Sequence, residues 1–308
     1  MVNIEKHIGM KNIMSTEIKF NAKTNKYEGW INGSVACKSK SRDYIERRVV
    51  ELGGESVGQS CVDAVPEVET VDFGINERFD FIEKFVKMVA KGISNSLIVA
   101  GPGGLGKSHT VIETLAKMGK REMSIGEIDG DYVVIKGFTT AKGMYRTLYE
   151  NNGKIVIFDD ADSSFKDPIG ANILKGALDS NDKRIISWNA EFSDKEDLPN
   201  RFEFVGRVIF ISNLPISKVP QALVSRSLKC DVTMSMDEKI DRIEYVVRSN
   251  DFMPAYGDNV KEDVLEFIRE NKKKFTDLNL RTAMSIAKVR YHDDDNSWKR
   301  LALYMAVA

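Results

Sequence analysis

Hydrophobic and polar positions along this chain fall into two regimes. Up to residue 54 the apolar residues first alternate and then repeat at helical spacing. Thr16 to Phe20 (TEIKF) and Tyr27 to Ile31 (YEGWI) read as two strands, joined by a polar stretch, Asn21 to Lys26, with hairpin chemistry. Ser41 is a suitable helix N-cap, followed by Tyr44, Ile45, Val49 and Leu52 at helical spacing and by Gly53-Gly54 as the stop. The expectation for residues 1–54 is a small β-β-α unit.

From Phe73 the pattern becomes α/β. Residues 76–91 place Phe79, Ile82, Phe85, Val86 and Val89 on one helical face. Short continuous apolar runs then alternate with helices: Ser96 to Ala100 (SLIVA), a helix over 107–118, Tyr132 to Ile135, a helix through Met144, Tyr145, Leu148 and Tyr149, Lys154 to Asp160 (KIVIFDD), a helix over 171–179, and Arg207 to Ser212 (RVIFIS). Strands apolar at every position, separated by helices, predict a parallel sheet buried on both faces. Arg184 to Trp188 and Phe202 to Val205 suit a hairpin inserted before RVIFIS, and Cys230 to Met234 suits a fifth strand. Residues 236–308 read as helical throughout. The predicted organisation is a unit over 1–54, a connector over 55–72, an α/β domain over 73–235 and a helical lid over 236–308.

Charge sharpens one boundary. Residues 1–50 hold ten Lys/Arg against five Asp/Glu, whereas residues 51–75 hold six Asp/Glu and no Lys/Arg. That reversal marks 55–72 as an acidic linker. The whole chain carries a formal charge of −1, so global charge does not point to nucleic acid. No apolar run approaches the ~18 residues of a bilayer span, and the N-terminus lacks the apolar core of a signal peptide, so no membrane association and a cytoplasmic location are expected. Cys37, Cys61 and Cys230 are scattered without metal-ligand spacing and are expected to be reduced.

Two segments carry chemistry. Gly101-Pro102-Gly103-Gly104-Leu105-Gly106-Lys107-Ser108 matches G-x-x-x-x-G-K-[ST] and lies between an apolar strand and a helix, where that motif works. Its glycines let backbone N–H groups turn inward around phosphate oxygens, and the helix N-terminus favours the anion. Lys107 is expected to neutralise phosphate charge and Ser108 to ligate Mg²⁺, with His109 next along the helix. The second segment is Ile155-Val156-Ile157-Phe158-Asp159-Asp160. A carboxylate at the C-terminal end of a parallel strand lies where such sheets bind ligands. Asp159 is assigned to Mg²⁺ and Asp160 to orienting or deprotonating the attacking water. Asp162 reads better as a solvated strand end than as a ligand.

With these motifs in place, the chain resembles the AAA+ superfamily of P-loop ATPases over about residues 70–290, and more locally the AAA+ ATPases of bacteriophages. Ile209 to Asn213 is similar to the sensor 1 strand, which gives Asn213 the role of positioning water. Ala222 to Arg226 is similar to the helix end that presents an arginine finger to a neighbouring subunit. Leu278 to Thr282 is similar to the start of the sensor 2 helix, with Arg281 reaching the nucleotide. Asp72 to Asn76, including Phe73 and Gly74, lies where the superfamily cradles adenine. The resemblance implies bound ATP and Mg²⁺. It also implies a homo-oligomer, either a hexameric ring or an open helical assembly, with Arg226 acting in trans, and a host-cytoplasmic location for a phage protein. One position departs: the second acidic residue is usually Glu and here is Asp160, a side chain shorter by ~1.5 Å, a displacement that can cost ~100-fold in rate.

The substrate is less legible. Lys19, Lys23, Lys26, Lys38, Lys40 and Arg42 surround Phe20, Tyr27 and Trp30, with Arg47-Arg48 on the following helix. Basic residues among aromatics on a small sheet suit DNA, and the unit weakly resembles the three-stranded arm-binding domains of phage integrases. The alternative is an aromatic mini-core with a rim of solvated lysines. Three functions follow: a nucleic-acid motor or loader, a protein remodeller gripping its substrate near Phe138, or a slow ATP-gated scaffold. Superfamily 3 helicases share the strand-Asn motif, but the helical lid with Arg281 favours AAA+.

Overall fold

A computed structural model of the chain describes residues 16–21, 24–52, 72–124, 127, 129–137, 139–160, 162, 167–179, 181–189, 198–249, 251–293 and 297–307. Residues 55–71 of the acidic linker expected over 55–72, the Gly53-Gly54 helix stop, Cys61, Lys23 and Phe138 lie outside them. The chain divides into two compact units, Met1–Val71 and Asp72–Ala308.

The first unit is a three-stranded antiparallel sheet in the order β1-β2-β3, with β1 Thr16–Asn21, β2 Lys26–Ile31 and β3 Ser34–Ser39, followed by helix α1, Arg42–Glu51. The β-β-α expectation is therefore corrected to β-β-β-α. The physical reason is Asn32-Gly33, whose φ values of 49° and 77° form the tight turn that returns the chain as a third strand. Ser41 caps α1 by accepting from the Tyr44 N–H. One sheet face meets α1 so closely that a Cβ at Gly29 would fall 2.6 Å from the Val49 side chain. On this sheet Lys19 pairs with Glu17 and lies over the Trp30 ring, while Lys38 pairs with Glu28. The hydrogen bond from Lys38 holds the Glu28 carboxyl below its usual range.

The second unit opens with helix α2, Ile75–Ala90, and is built on a five-stranded parallel sheet. Its strands are β4 Ser96–Ala100, β5 Tyr132–Lys136, β6 Ile155–Asp159, β9 Arg207–Ser212 and β10 Leu228–Asp231, in the order β10-β4-β9-β6-β5. The last strand begins two residues before the expected Cys230, and Val232 still donates its N–H to Ala100 O as the chain leaves the sheet. Helices α3, Lys107–Lys117, and α4, Ala141–Glu150, connect the early strands. Helix α5, Pro168–Ala177, starts three residues before the expected 171, because Asp167 caps it and Pro168 fits its first turn.

Strand alternation sends each central strand's apolar residues to two cores. Leu97, Val99, Ile157, Ile209 and Ile211 pack with α2, α3 and the C-terminal helices. Ile98, Val156, Phe158, Val208 and Phe210 pack with α4 and α5, where the Phe158 and Phe210 rings stack at 5.4 Å. Each fully buried aliphatic or aromatic side chain contributes roughly 1.5–3 kcal/mol. Burial on both faces is why these strands show no polar alternation in sequence.

The expected hairpin is present as β7, Ile185–Ser187, antiparallel to β8, Arg201–Glu203. Buried Arg184 ties it down by donating to Ala177 O at the end of α5 and to Gly206 O. A 3₁₀ turn, Ile216–Lys218, and the short helix α6, Gln221–Val224, precede β10. The remainder is helical: α7 Met236–Val247, α8 Asp258–Asn271, α9 Leu280–His292 and α10 Trp298–Val307. Ser235 and Glu238 form a reciprocal capping box at the start of α7. No helix among the described residues is long and apolar enough to cross a membrane. The fold is thus the α/β arrangement of a P-loop NTPase: a parallel sheet, a phosphate-loop sequence at the end of a central strand and a helical C-terminal subdomain.

Candidate active site

The loop from Gly101 to Gly106 turns sharply because three of its glycines hold φ values of 146°, 72° and 99°, at Gly101, Gly104 and Gly106. Side chains are excluded there as well. A Cβ at Gly101 would lie 2.7 Å from the Val232 carbonyl carbon, and one at Gly104 would lie 3.0 Å from the Asn279 Cβ. Leu105 is buried and anchors the loop in the core, while Pro102 and Gly103 stay on the outer side. The C-terminal subdomain closes directly on the loop, since Leu280 donates its N–H to Gly104 O at 2.9 Å.

Lys107 starts α3 and folds back into this loop. Its Nζ donates to Gly101 O at 2.8 Å, Pro102 O at 2.7 Å and Asn213 Oδ1 at 3.0 Å. Burial depresses the ammonium to about 8, although the carboxylates of Asp160, Asp159 and Asp162 oppose that shift. Next along the helix, Ser108 Oγ donates to Asp159 Oδ1 at 2.8 Å, across from the end of β6. Strand β9 lies between β4 and β6, so its terminal residue faces both chemical segments. That residue is followed at once by Asn213, whose Oδ1 accepts from Lys107 while its Nδ2 donates to Asp160 Oδ1. The two bonds fix the orientation of the amide.

Asp160 has a φ of 60°, a left-handed conformation that Asp adopts more readily than most residues. Burial first, and then the neighbouring Asp159 charge, raise its carboxyl above the ordinary range; Lys107 and Arg281 pull the other way. Arg281 lies exposed in the first turn of α9, close enough for its charge to act on Asp160.

The structure thus brings Lys107, Ser108, Asp159, Asp160 and Asn213 into one cluster, with Arg281 at its edge. Other expected residues lie apart from it. His109 faces solvent, 3.5 Å from Glu113 one turn on. Phe73 is exposed with its ring edge-on to Phe81, and Gly74 caps α2. Arg226 is exposed and donates to Ala222 O of its own turn at 2.8 Å.

The donor set suits Mg²⁺. A serine hydroxyl and one carboxylate oxygen in hydrogen-bond contact are hard oxygen donors, and Mg²⁺ takes one or two protein oxygens with phosphates and water completing its shell. Among the described residues there is no group of three or more His, Cys, Asp or Glu that could hold a metal ion.

No protein-family model matches the chain. It is 30% identical over 245 residues to the uncharacterized 36.7 kDa protein of the nrdC-mobD intergenic region of Enterobacteria phage T4, an alignment covering 74% of this chain and 73% of that protein. The chain belongs to the family of that phage protein. Among solved structures, C. elegans PCH-2 overlaps with a TM-score of 0.41 at 13% identity, covering 76% of this chain and 67% of its own. NtrX from Brucella abortus, solved in complex with ATP, overlaps with a TM-score of 0.43 at 13% identity; the match covers 83% of this chain and 58% of NtrX. Likenesses that loose carry nothing about activity.

Three residues around the site have roles that the sequence reading did not give them. Asp162, expected as a solvated strand end, accepts from Ser212 Oγ and from the Asn213 N–H, so it holds Asn213 in place from behind. Asn279 caps α9 by accepting from the N–H groups of Arg281 and Thr282, and its side chain rests against Gly104. An Asn directly before a helical run is a readable cap, so that signal was present. Arg242 of α7 is the third, buried against α2 beside Gly106.

Proposed function

We propose that this protein binds Mg·ATP in the Gly101–Ser108 loop and hydrolyses it as an AAA+ ATPase of the phage type. The observation that carries the reading is the pairing of Lys107, folded into the loop by three acceptors, with Ser108 hydrogen-bonded to Asp159. Lys107 exchanges its loop carbonyls for β- and γ-phosphate oxygens. Ser108 and Asp159 hold the metal ion, which neutralises phosphate charge when bound. Asp160 takes the proton of the attacking water or orients it, and Asn213 keeps Asp160 and the γ-phosphate end of Lys107 in register.

The depressed Lys107 ammonium gives a pH signature. Its folded, ligand-free value of about 8 lies below the ordinary 10.5, so the cost of burying the charge is fully present below pH 8 and is relieved as pH rises toward 10.5. Bound phosphate restores the charged form. ATP binding above pH 8 is therefore expected to take up a proton, and affinity to fall as pH rises from about 8 to about 9.5. Calorimetry at about pH 8.5 in two buffers of different ionisation enthalpy reads the uptake; equal apparent enthalpies would contradict it.

We further read the active form as a homo-oligomer in which Arg226 serves a neighbour's nucleotide. Its exposure at a helix end, held by a carbonyl of its own turn, supports that reading. Arg226→Ala is expected to bind ATP normally and lose most turnover. Mixing it with Lys107→Ala subunits, which keep the arginine but not the loop cation, is expected to restore part of the rate. No recovery at any mixing ratio would remove the in-trans role.

The substrate we propose is nucleic acid, contacted through the first unit, where Lys26 and Lys40 are exposed on and beside the three-stranded sheet. The neutralising pairs Lys19–Glu17 and Lys38–Glu28 reduce the charge available there, so contact relies on few phosphates. Steady-state hydrolysis measured at several protein concentrations, with and without single- and double-stranded DNA, tests both parts. A rate that rises with DNA and steeply with concentration supports the assembling motor. Hydrolysis indifferent to DNA transfers the reading to a protein remodeller, and a rate near the Lys107→Ala blank to an ATP-gated scaffold.

A further inference from the structure

Several arginines of the second unit are buried or half-buried with acceptors suited to their charge. Arg78 meets Glu238 and Thr233 O, Arg290 meets Asp263, and Arg184 meets two backbone carbonyls. Arg242 differs. It is 7% exposed and no carboxylate forms an ion pair with it among the described residues, although the Asp80 and Glu83 charges act on it. Its Nε–H is buried without an acceptor, as is that of Arg78, whose charge Glu238 meets. Of its guanidinium donors, Nη1 reaches Asn76 Oδ1 at 3.1 Å. The guanidinium carbon lies over the Phe79 ring, 3.6 Å from its centroid. A ring face attracts a cation but accepts no in-plane hydrogen bond, so the buried Nε–H stays unmet. Burial lowers its affinity for the proton, to about 10.

Its place gives the missing partner a chemistry. Arg242 Nη2 lies 3.6 Å from where a Cβ on Gly106 would stand, at the turn that opens α3. The first N–H groups of that helix are also donors in want of an anion. Two independent unmet positive features, one on the core and one on α7, converge on the same few ångströms. A single oligophosphate satisfies both.

We propose that Arg242 is a second nucleotide-contacting cation of the C-terminal subdomain, distinct from Arg281, its guanidinium meeting the phosphates cradled at Gly106. The proposal rests on the nucleotide reading above and adds its consequence: filling the phosphate loop draws α7 onto the core. Arg242 is on α7, Asn76 and Phe79 are on α2, and Gly106 is in the loop, so one bound anion ties three elements together.

The test is calorimetric binding of ATP and of inorganic tripolyphosphate, each with Mg²⁺, to wild type, Arg242→Met and Arg242→Lys, with thermal unfolding of each protein alone and with ligand. Met keeps the packing against Phe79 and removes the unmet charge, so the ligand-free Arg242→Met protein is expected to unfold no earlier than wild type. It is expected to bind both ATP and tripolyphosphate about tenfold to a hundredfold more weakly. Arg242→Lys, a point charge without the fork, is expected to fall between the two. Wild-type affinity for ATP in a folded Arg242→Met protein would overturn the proposal while leaving the ATPase reading intact. Weakened ATP with unchanged tripolyphosphate would overturn it in favour of a base or ribose contact. If Met does not fold, the folded Lys variant decides: equal affinity for tripolyphosphate in Lys and wild type counts against a forked phosphate contact. Absence of ATP binding by wild type itself would remove the nucleotide reading, and this one with it.

Discussion

Lys107→Ala is expected to abolish measurable ATP binding while leaving the fold in place. The ammonium sits inside the loop, with Gly101 O, Pro102 O and Asn213 Oδ1 as its ligand-free partners. Removing it strips the loop of the charge that neutralises phosphate in a partly desolvated site, where charge-assisted hydrogen bonds are about twice as strong as neutral ones. A loss of more than ~100-fold in affinity follows from deleting an interaction of ~3 kcal/mol or more. Stability should move little. The ligand-free protein bears the burial cost of a cation whose ammonium is already depressed to about 8, and alanine relieves it. Calorimetry with Mg·ATP and a parallel urea melt separate the two effects. An ATP dissociation constant close to that of wild type would mean that the loop is not the phosphate site, whatever its sequence. A collapsed melt would mean that Lys107 serves the fold first.

How far the sequence led depends on how local each signal was. The loop from Gly101 to Ser108 was legible because its glycine spacing is dictated by backbone turns within one short segment, and the strand and helix on either side have unambiguous periods. Asp159 and Asp160 were legible because carboxylates ending a wholly apolar parallel strand lie at the sheet's C-terminal edge, and Asn213 through the resemblance of its strand to sensor 1. The third strand of the first unit was missed although Asn32-Gly33 announces its turn; the weak apolar content of SVACKS hid it. Arg242 was not legible at all. On its own helix it is a charged residue between Ile240 and Ile243, and only the packing of α7 on α2 sets it against Phe79. Asp162 failed for the same reason: its partners, Ser212 and the Asn213 N–H, are far away in sequence and meet it through sheet order. Contacts made by neighbours in sequence are written in the sequence. Those made by neighbours across the sheet are not.

Asp160→Asn is the sharpest test of the chemistry, because the substitution changes little else. At a φ of 60° most side chains are strained, but Asn and Asp both tolerate that conformation. The substituted amide also keeps an oxygen that can accept from Asn213 Nδ2, so the cluster is expected to hold its shape. What is lost is a carboxylate able to take a proton or bind water strongly. ATP affinity is expected to stay within a few-fold of wild type, while turnover falls ~10²- to 10⁴-fold, the range for removing a general base. The pH profile adds an independent sign. Burial and the Asp159 charge raise the Asp160 carboxyl, so the protonated, inactive form persists to higher pH than for an ordinary Asp. Wild-type turnover should therefore decline on the acid side earlier than an ordinary carboxylate would allow, and the residual activity of the Asp160→Asn protein should lack that limb. The left-handed turn also bears on the departure from glutamate. A longer side chain there gains reach but loses the local conformational tolerance that Asp has, so the short carboxylate and its unusual backbone belong together. If single-turnover measurements on preloaded ATP give the same rate for wild type and Asp160→Asn, water activation lies with another group, and Asp160 is an electrostatic neighbour of Lys107 only.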